Sequence, residues 1–265
     1  MASIDAHREH VREITRLKLW RVWWLTRNEG LDTEAAVRLC DFLGPTVFAG
    51  DRVLGIPGNP EGWRPVREEL LARCARHRAD ESSEAMERAG TDLLWPHTEP
   101  ALERQLAHAA AWLESSVGGF SYGFHPFIHA PAGTEEHLTL HVRNAYQPDS
   151  MFQHVPEVIG SLLEVIARSQ RERPDVARAQ CGTWINDLPP FSRLFPPSWI
   201  QNAEPGAPAP HTGWWGQFMD RRGGFHAKNG ASFRRAGRFP FAYLVCRCAI
   251  GEWREHLQRL RAASA

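Results

Sequence analysis

The periodicity of the chain changes at Gly118-Gly119, and this change limits the fold more than any other feature. Before it, apolar residues recur at helical spacing; after it, strand-like runs alternate with helices. Val11, Ile14 and Leu17 open a helix over 5–28 that stops at Asn28-Glu29-Gly30. Asp32 or Thr33 caps a second, which runs to about Leu43 and ends at Gly44-Pro45. Further helices are predicted at 64–77, 82–89 and 99–116, the last with Leu102, Leu106, Ala109, Ala110 and Leu113 as its apolar stripe. The Gly/Pro-rich connection 46–62 has room for a short strand at 46–48.

Strands are predicted at 120–129, 137–144, 176–185, 213–219 and 239–249, and helices at 155–172, 188–195, 226–235 and 251–262. The helix after Pro156 carries the plainest signal: Val155, Val158, Ile159, Leu162, Leu163 and Ile166 share one face, and Arg173-Pro174 stops it. A helix between two strands implies a right-handed crossover and a parallel pair, whereas 120–144 reads as an antiparallel hairpin. The fold class expected is therefore α+β. Residues 118–265 form a mixed five-stranded sheet with flanking helices, and 1–117 an all-helical N-terminal layer on the same compact unit. This order is similar in topology to the GNAT acyltransferase core. The Q/R-x-x-G-x-G/A turn of that family is absent, its place being held by Tyr146-Gln-Pro-Asp-Ser-Met-Phe-Gln-His154, so the resemblance is one of strand and helix order.

Composition narrows the function. Acidic and basic residues balance at 31 each, leaving no net field for nucleic acid or an anionic membrane. The apolar run 19–25 is short and broken by Arg21, which suits neither a signal peptide nor a membrane span. Five scattered cysteines without a CxxC pair read as reduced thiols in a cytoplasmic protein. Eleven Trp and 13 Phe against 3 Tyr suit a deep core or an aromatic-walled pocket for a small organic ligand.

Four histidines on the hairpin mark the first candidate site. Alternation puts His137, Thr139, His141 and Arg143 on one face and Leu138, Leu140 and Val142 on the other, with His125 and His129 on the partner strand. Imidazoles so grouped bind a divalent metal, with Glu135, Glu136 or Asp149 as nearby carboxylates; the plainer reading is an amphipathic sheet face. His141, Arg143 and Asn144 end a strand, where open α/β sheets hold ligands. There His141 would act as general base, Arg143 as clamp for a carboxylate or phosphate, and Asn144 as donor, unless Arg143 pairs with an acid and Asn144 starts a turn.

Trp184 and Asn186, after the next strand, would line the same crevice, as would Trp214, Trp215, Gln217 and Arg222 further on. Against this, Trp214 and Trp215 also fit plain core packing with Gln217 exposed. Cys181 fits a buried apolar thiol better than a nucleophile. The basic run from Arg221 to Arg238 suits a small anion or a solvated face, and the Pro-rich loop 196–212 is long enough to cover a site. Three functions compete. The first is a small-molecule biosynthetic enzyme of transferase type, with a His base, an Arg clamp, a Trp-lined pocket and an anionic acyl donor. The second is an oxygenase or hydrolase that uses non-haem iron or zinc on the His cluster. The third is a non-catalytic binding module.

Overall fold

The computed structural model describes residues 3–128, 134–206 and 212–263. In chain order the first helices are α1 (Ile4–Asn28), α2 (Thr33–Arg38), α3 (Pro60–His77), α4 (Glu84–Thr98) and α5 (Leu102–Ser115). Strands β1 (Phe120–Pro126) and β2 (Glu136–Val142) follow, then α6 (Val155–Glu172), β3 (Arg178–Thr183), α7 (Pro189–Ser192), α8 (Pro197–Gln201) and β4 (Glu204–Pro205). The chain closes with α9 (Thr212–Trp215), α10 (Ala227–Ala236), β5 (Leu244–Ala249) and α11 (Ile250–Ala263). Among the described residues no helix is long and apolar enough to cross a membrane.

The chain divides into two compact units. One joins Met1–Ala111 to Pro208–Pro240; the other joins Trp112–Ala207 to Phe241–Ala265. The first unit is helical and takes in a segment from later in the chain. In this helical unit Ser3 caps α1, its Oγ accepting from the Ala6 amide, and the Asp32 carboxylate does the same for α2 from Ala35. The segment 213–219 is not a strand. Trp215 ends α9 and Phe218 lies in the 3₁₀ turn that follows, so these rings, three residues apart, face one way. Both lie against Phe233 and Phe239, with ring centroids 5.2 to 5.9 Å apart. This aromatic group completes a core built on Leu17, Leu19, Leu25, Leu70 and Leu94. The 46–58 segment holds no strand but a loop closed by a bridge between Asp51 and Ile56.

The other unit is a five-stranded mixed sheet in the order β1-β2-β3-β5-β4. β1 and β2 form the expected antiparallel hairpin, and β2 runs parallel to β3 through the α6 crossover. The missing strand at 213–219 is replaced by two residues of the Pro-rich loop, β4, paired antiparallel to β5. α6 matches its predicted span because its stripe has a partner: Val158, Ile159, Leu162, Val165 and Ile166 bury against Phe120, Leu138 and Leu140 of the hairpin. Trp253 and Leu257 of α11, Trp199 of α8 and Cys181, Cys246 and Cys248 fill the rest of that face.

Candidate functional site

The opposite face of the sheet is polar. Register places Gly123, Thr139, Gln180 and Arg247 in one row across four strands, with His125 opposite His137 and Ser121 opposite His141 in neighbouring rows. Gln180 is fully buried at the centre of this face. Its Nε2 donates to Thr139 Oγ1 at 2.8 Å and to the Pro126 carbonyl at 3.0 Å, and its Oε1 accepts from the Ile128 amide at 3.1 Å. A buried amide that is satisfied so completely acts as a clasp, holding the chain after β1 down over the sheet. Nothing in the alternation of the strand singles Gln180 out, because only the returning backbone gives it partners.

Under this cover sits His137, 4% exposed. Its Nδ1 donates to the Glu135 carbonyl at 3.1 Å. A carbonyl only accepts, so the proton is fixed on Nδ1 and the lone pair on Nε2, the tautomer a general base requires. Nε2 is buried and has no hydrogen-bond partner among the described residues. Desolvation lowers the affinity of this imidazole for a proton, and the charges of Arg178 and Arg247 push the same way against that of Glu135. The Phe127 ring lies 5.8 Å from His137 and 4.2 Å from the guanidinium of Arg247, which also pairs with Glu204 at 3.1 Å. Arg178 is exposed and makes no ion pair among the described residues. The site therefore combines a neutral buried base, two guanidiniums and an aromatic wall.

The residues expected to surround His141 are dispersed. His141 shares the polar face but is exposed, not enclosed; desolvation and then His125 lower its proton affinity. Strand β2 ends at Val142, so Arg143 leaves the sheet and lays its guanidinium over Trp112 at 5.3 Å, without an acidic partner among the described residues. Asn144 forms a turn: its Oδ1 accepts from Tyr146 and its Nδ2 donates to the Asp149 carbonyl. Trp184 stacks on Phe241 at 5.6 Å, and Asn186 is committed wholly to protein groups. Trp214, Trp215, Gln217 and Arg222 belong to the helical unit, where Gln217 is buried and donates to the Trp214 carbonyl. Arg222 is exposed, its amide closing a turn on Asp220. Among the described residues no three His, Cys, Asp or Glu side chains converge as metal ligands; His129 lies outside them.

The clasp yields a direct expectation. Gln180→Met removes three hydrogen bonds at little change in volume, costing about 2 kcal/mol and releasing the cover. The burial that depresses His137 weakens with it, so its titration should move up toward 6.5. The Cε1 proton of His137, followed by NMR against pH, reports this; an unmoved titration would show that residues 126–128 do not shield the ring.

No protein-family model matches this chain, and neither a curated protein nor a solved structure is similar to it.

Proposed function

We propose that the protein is a small-molecule enzyme of transferase type whose sheet unit holds an anionic donor or substrate on its polar face. His137 takes the base role first expected of His141, and Arg178 and Arg247 take the clamp role first expected of Arg143. One observation carries the reading: a buried imidazole, tautomerically fixed by Glu135, whose Nε2 has no partner among the described residues and lies in the field of two guanidiniums. Burying a polar atom without a partner is costly, and such costs concentrate where a ligand supplies the missing bond. The hairpin–helix–strand order supports group transfer by topology alone, a weaker warrant. The chemistry required of His137 is to accept a proton from an attacking hydroxyl or amine while the guanidiniums balance the donor's charge.

The test uses inorganic phosphate, pyrophosphate, succinate and acetyl-CoA as probes in calorimetry with the full chain. At least one should bind, and the Arg178→Ala/Arg247→Ala double variant should bind it at least about tenfold more weakly, since a hydrogen bond to a charged group contributes about 1.5–3 kcal/mol. His137→Gln should keep binding but lose transfer of the acetyl group from acetyl-CoA to added hydroxylamine, read as release of CoA thiol. Binding unaffected by both changes would overturn the assignment. Binding lost in the double variant, with no activity in any form, would favour a non-catalytic binding module.

A further inference from the structure

Outside this face, the helical unit contains an acid–histidine pair with a geometry of its own. His108, on α5, donates from Nδ1 to both carboxylate oxygens of Asp51 at 2.8 Å. Asp51 is held from behind by the Val53 and Leu54 amides, each 3.0 Å from Oδ1, in the hairpin closed by its own bridge to Ile56. The loop is positioned independently by the preceding turn of the same helix. There Arg104 donates to the Thr46 carbonyl at 2.6 Å and Gln105 to the Pro45 carbonyl at 2.9 Å. The Asp51 side chain is 10% exposed, that of His108 30%.

These facts separate the pair from a simple tether. Two other side chains already anchor the loop, and a tether does not require a nearly buried carboxylate on an imidazole that stays partly exposed. Burial alone would raise the Asp51 carboxyl, but the hydrogen bonds from His108 and from Leu54 and Val53 more than offset it and hold the group below the ordinary range. Asp51 is thus an anion at neutral pH. It fixes the His108 proton on Nδ1 and leaves Nε2, which has no hydrogen-bond partner among the described residues, as the free base.

We propose that Asp51 and His108 form a second acid–base centre, distinct from the sheet face, which activates water against small, exposed acyl esters. In the step, water oxygen bonds to the ester carbonyl carbon as one water proton passes to His108 Nε2. The bond from that carbon to the alcohol oxygen then breaks, and the proton on Nε2 goes to the departing alkoxide, giving acid and alcohol. Asp51 is a positioning residue here, acting through the orientation and charge of the ring.

p-Nitrophenyl acetate is the probe, with the full chain. Wild type should hydrolyse it, and His108→Gln should lower kcat/KM by roughly 10²-fold, the lower end of what general-base catalysis supplies. Asp51→Asn should lower kcat with KM little changed. If that variant fails to fold, nitrogen-15 shifts of His108 in the wild type decide: a lone pair on Nε2 at pH 8 upholds the arrangement, a proton there overturns it. Hydrolysis by His108→Gln at the wild-type rate would overturn it as well.

Discussion

Replacing Asn186 by leucine should destabilise the sheet unit by about 4 kcal/mol, a large share of the 5–15 kcal/mol that holds a typical domain together. Asn186 is 2% exposed and lies in the 3₁₀ turn directly after β3. Its Nδ2 donates to the Cys181 carbonyl at 2.9 Å and to the Leu244 carbonyl at 2.8 Å, tying the end of β3 to the start of β5. Its Oδ1 accepts from Trp199 Nε1 at 3.1 Å, orienting an indole that stacks on Phe195 with centroids 4.0 Å apart. Leucine keeps the branching and heavy-atom count but carries larger methyl groups, so the loss is not a cavity. Two carbonyls and an indole N–H are left buried without partners, at about 1–3 kcal/mol each less whatever relaxation recovers. Trp199→Phe removes the indole donor together with ring volume at a fully buried site, so it should cost a comparable amount through a cavity and one unpaired Asn186 Oδ1. Native-state hydrogen exchange of the β3 and β5 amides measures the sheet unit separately from the helical one. An Asn186→Leu cost below about 1 kcal/mol would mean that these groups find water or other partners.

The same residue shows where sequence reading stops. Periodicity located α1, α6 and the β1–β2 hairpin, because each carries a long apolar stripe and the spacing along the chain is the cause of the structure. It misread 213–219, because adjacent aromatic residues satisfy a strand pattern as readily as a turn whose rings meet a distant Phe233. The polar face was legible as a set of alternating His and Thr positions. The ranking within it was not. Whether His137 or His141 is buried depends on residues 126–128 folding back over the sheet, and Gln180, which holds them, lies more than 50 positions along the chain. A polar residue after a strand reads as a site residue when nothing shows how many partners it already has; Asn186 has three. Asp51 and His108 escaped notice for the same reason: no local pattern joins a loop carboxylate to a helix 57 positions away.

The helical unit should lose about 2 kcal/mol of stability between pH 7.5 and pH 5, and His10 should account for most of it. His10 is 7% exposed on the buried face of α1, and its Nδ1 has no hydrogen-bond partner among the described residues. Desolvation is the largest cause that brings its pKa down from 6.5 to about 4; the charges of His7 and Lys18 add to it, and Asp220 and the Phe218 backbone oppose it. A proton therefore binds the unfolded chain before it binds the folded one. Above pH 6.5 neither state holds that proton and stability is full. Between 6.5 and about 4 the unfolded state takes it up and the folded state does not, so stability falls as pH falls, by up to 1.36 kcal/mol per pH unit and about 3 kcal/mol in all. Lys18, on the same helix, reinforces the effect: burial also lowers its proton affinity, and it donates to the Asp41 carbonyl in a seat formed by Trp215 and Phe42. His10→Gln removes the titrating group and should flatten the dependence while costing little at pH 7.5. Hydrogen exchange of the α1 amides, corrected for intrinsic rates, follows this unit without interference from His137, which is depressed in the sheet unit. A wild-type slope that survives the substitution would place the acid sensitivity on another group, with His7 the first to examine, since its ring stacks on that of His10 with centroids 6.4 Å apart.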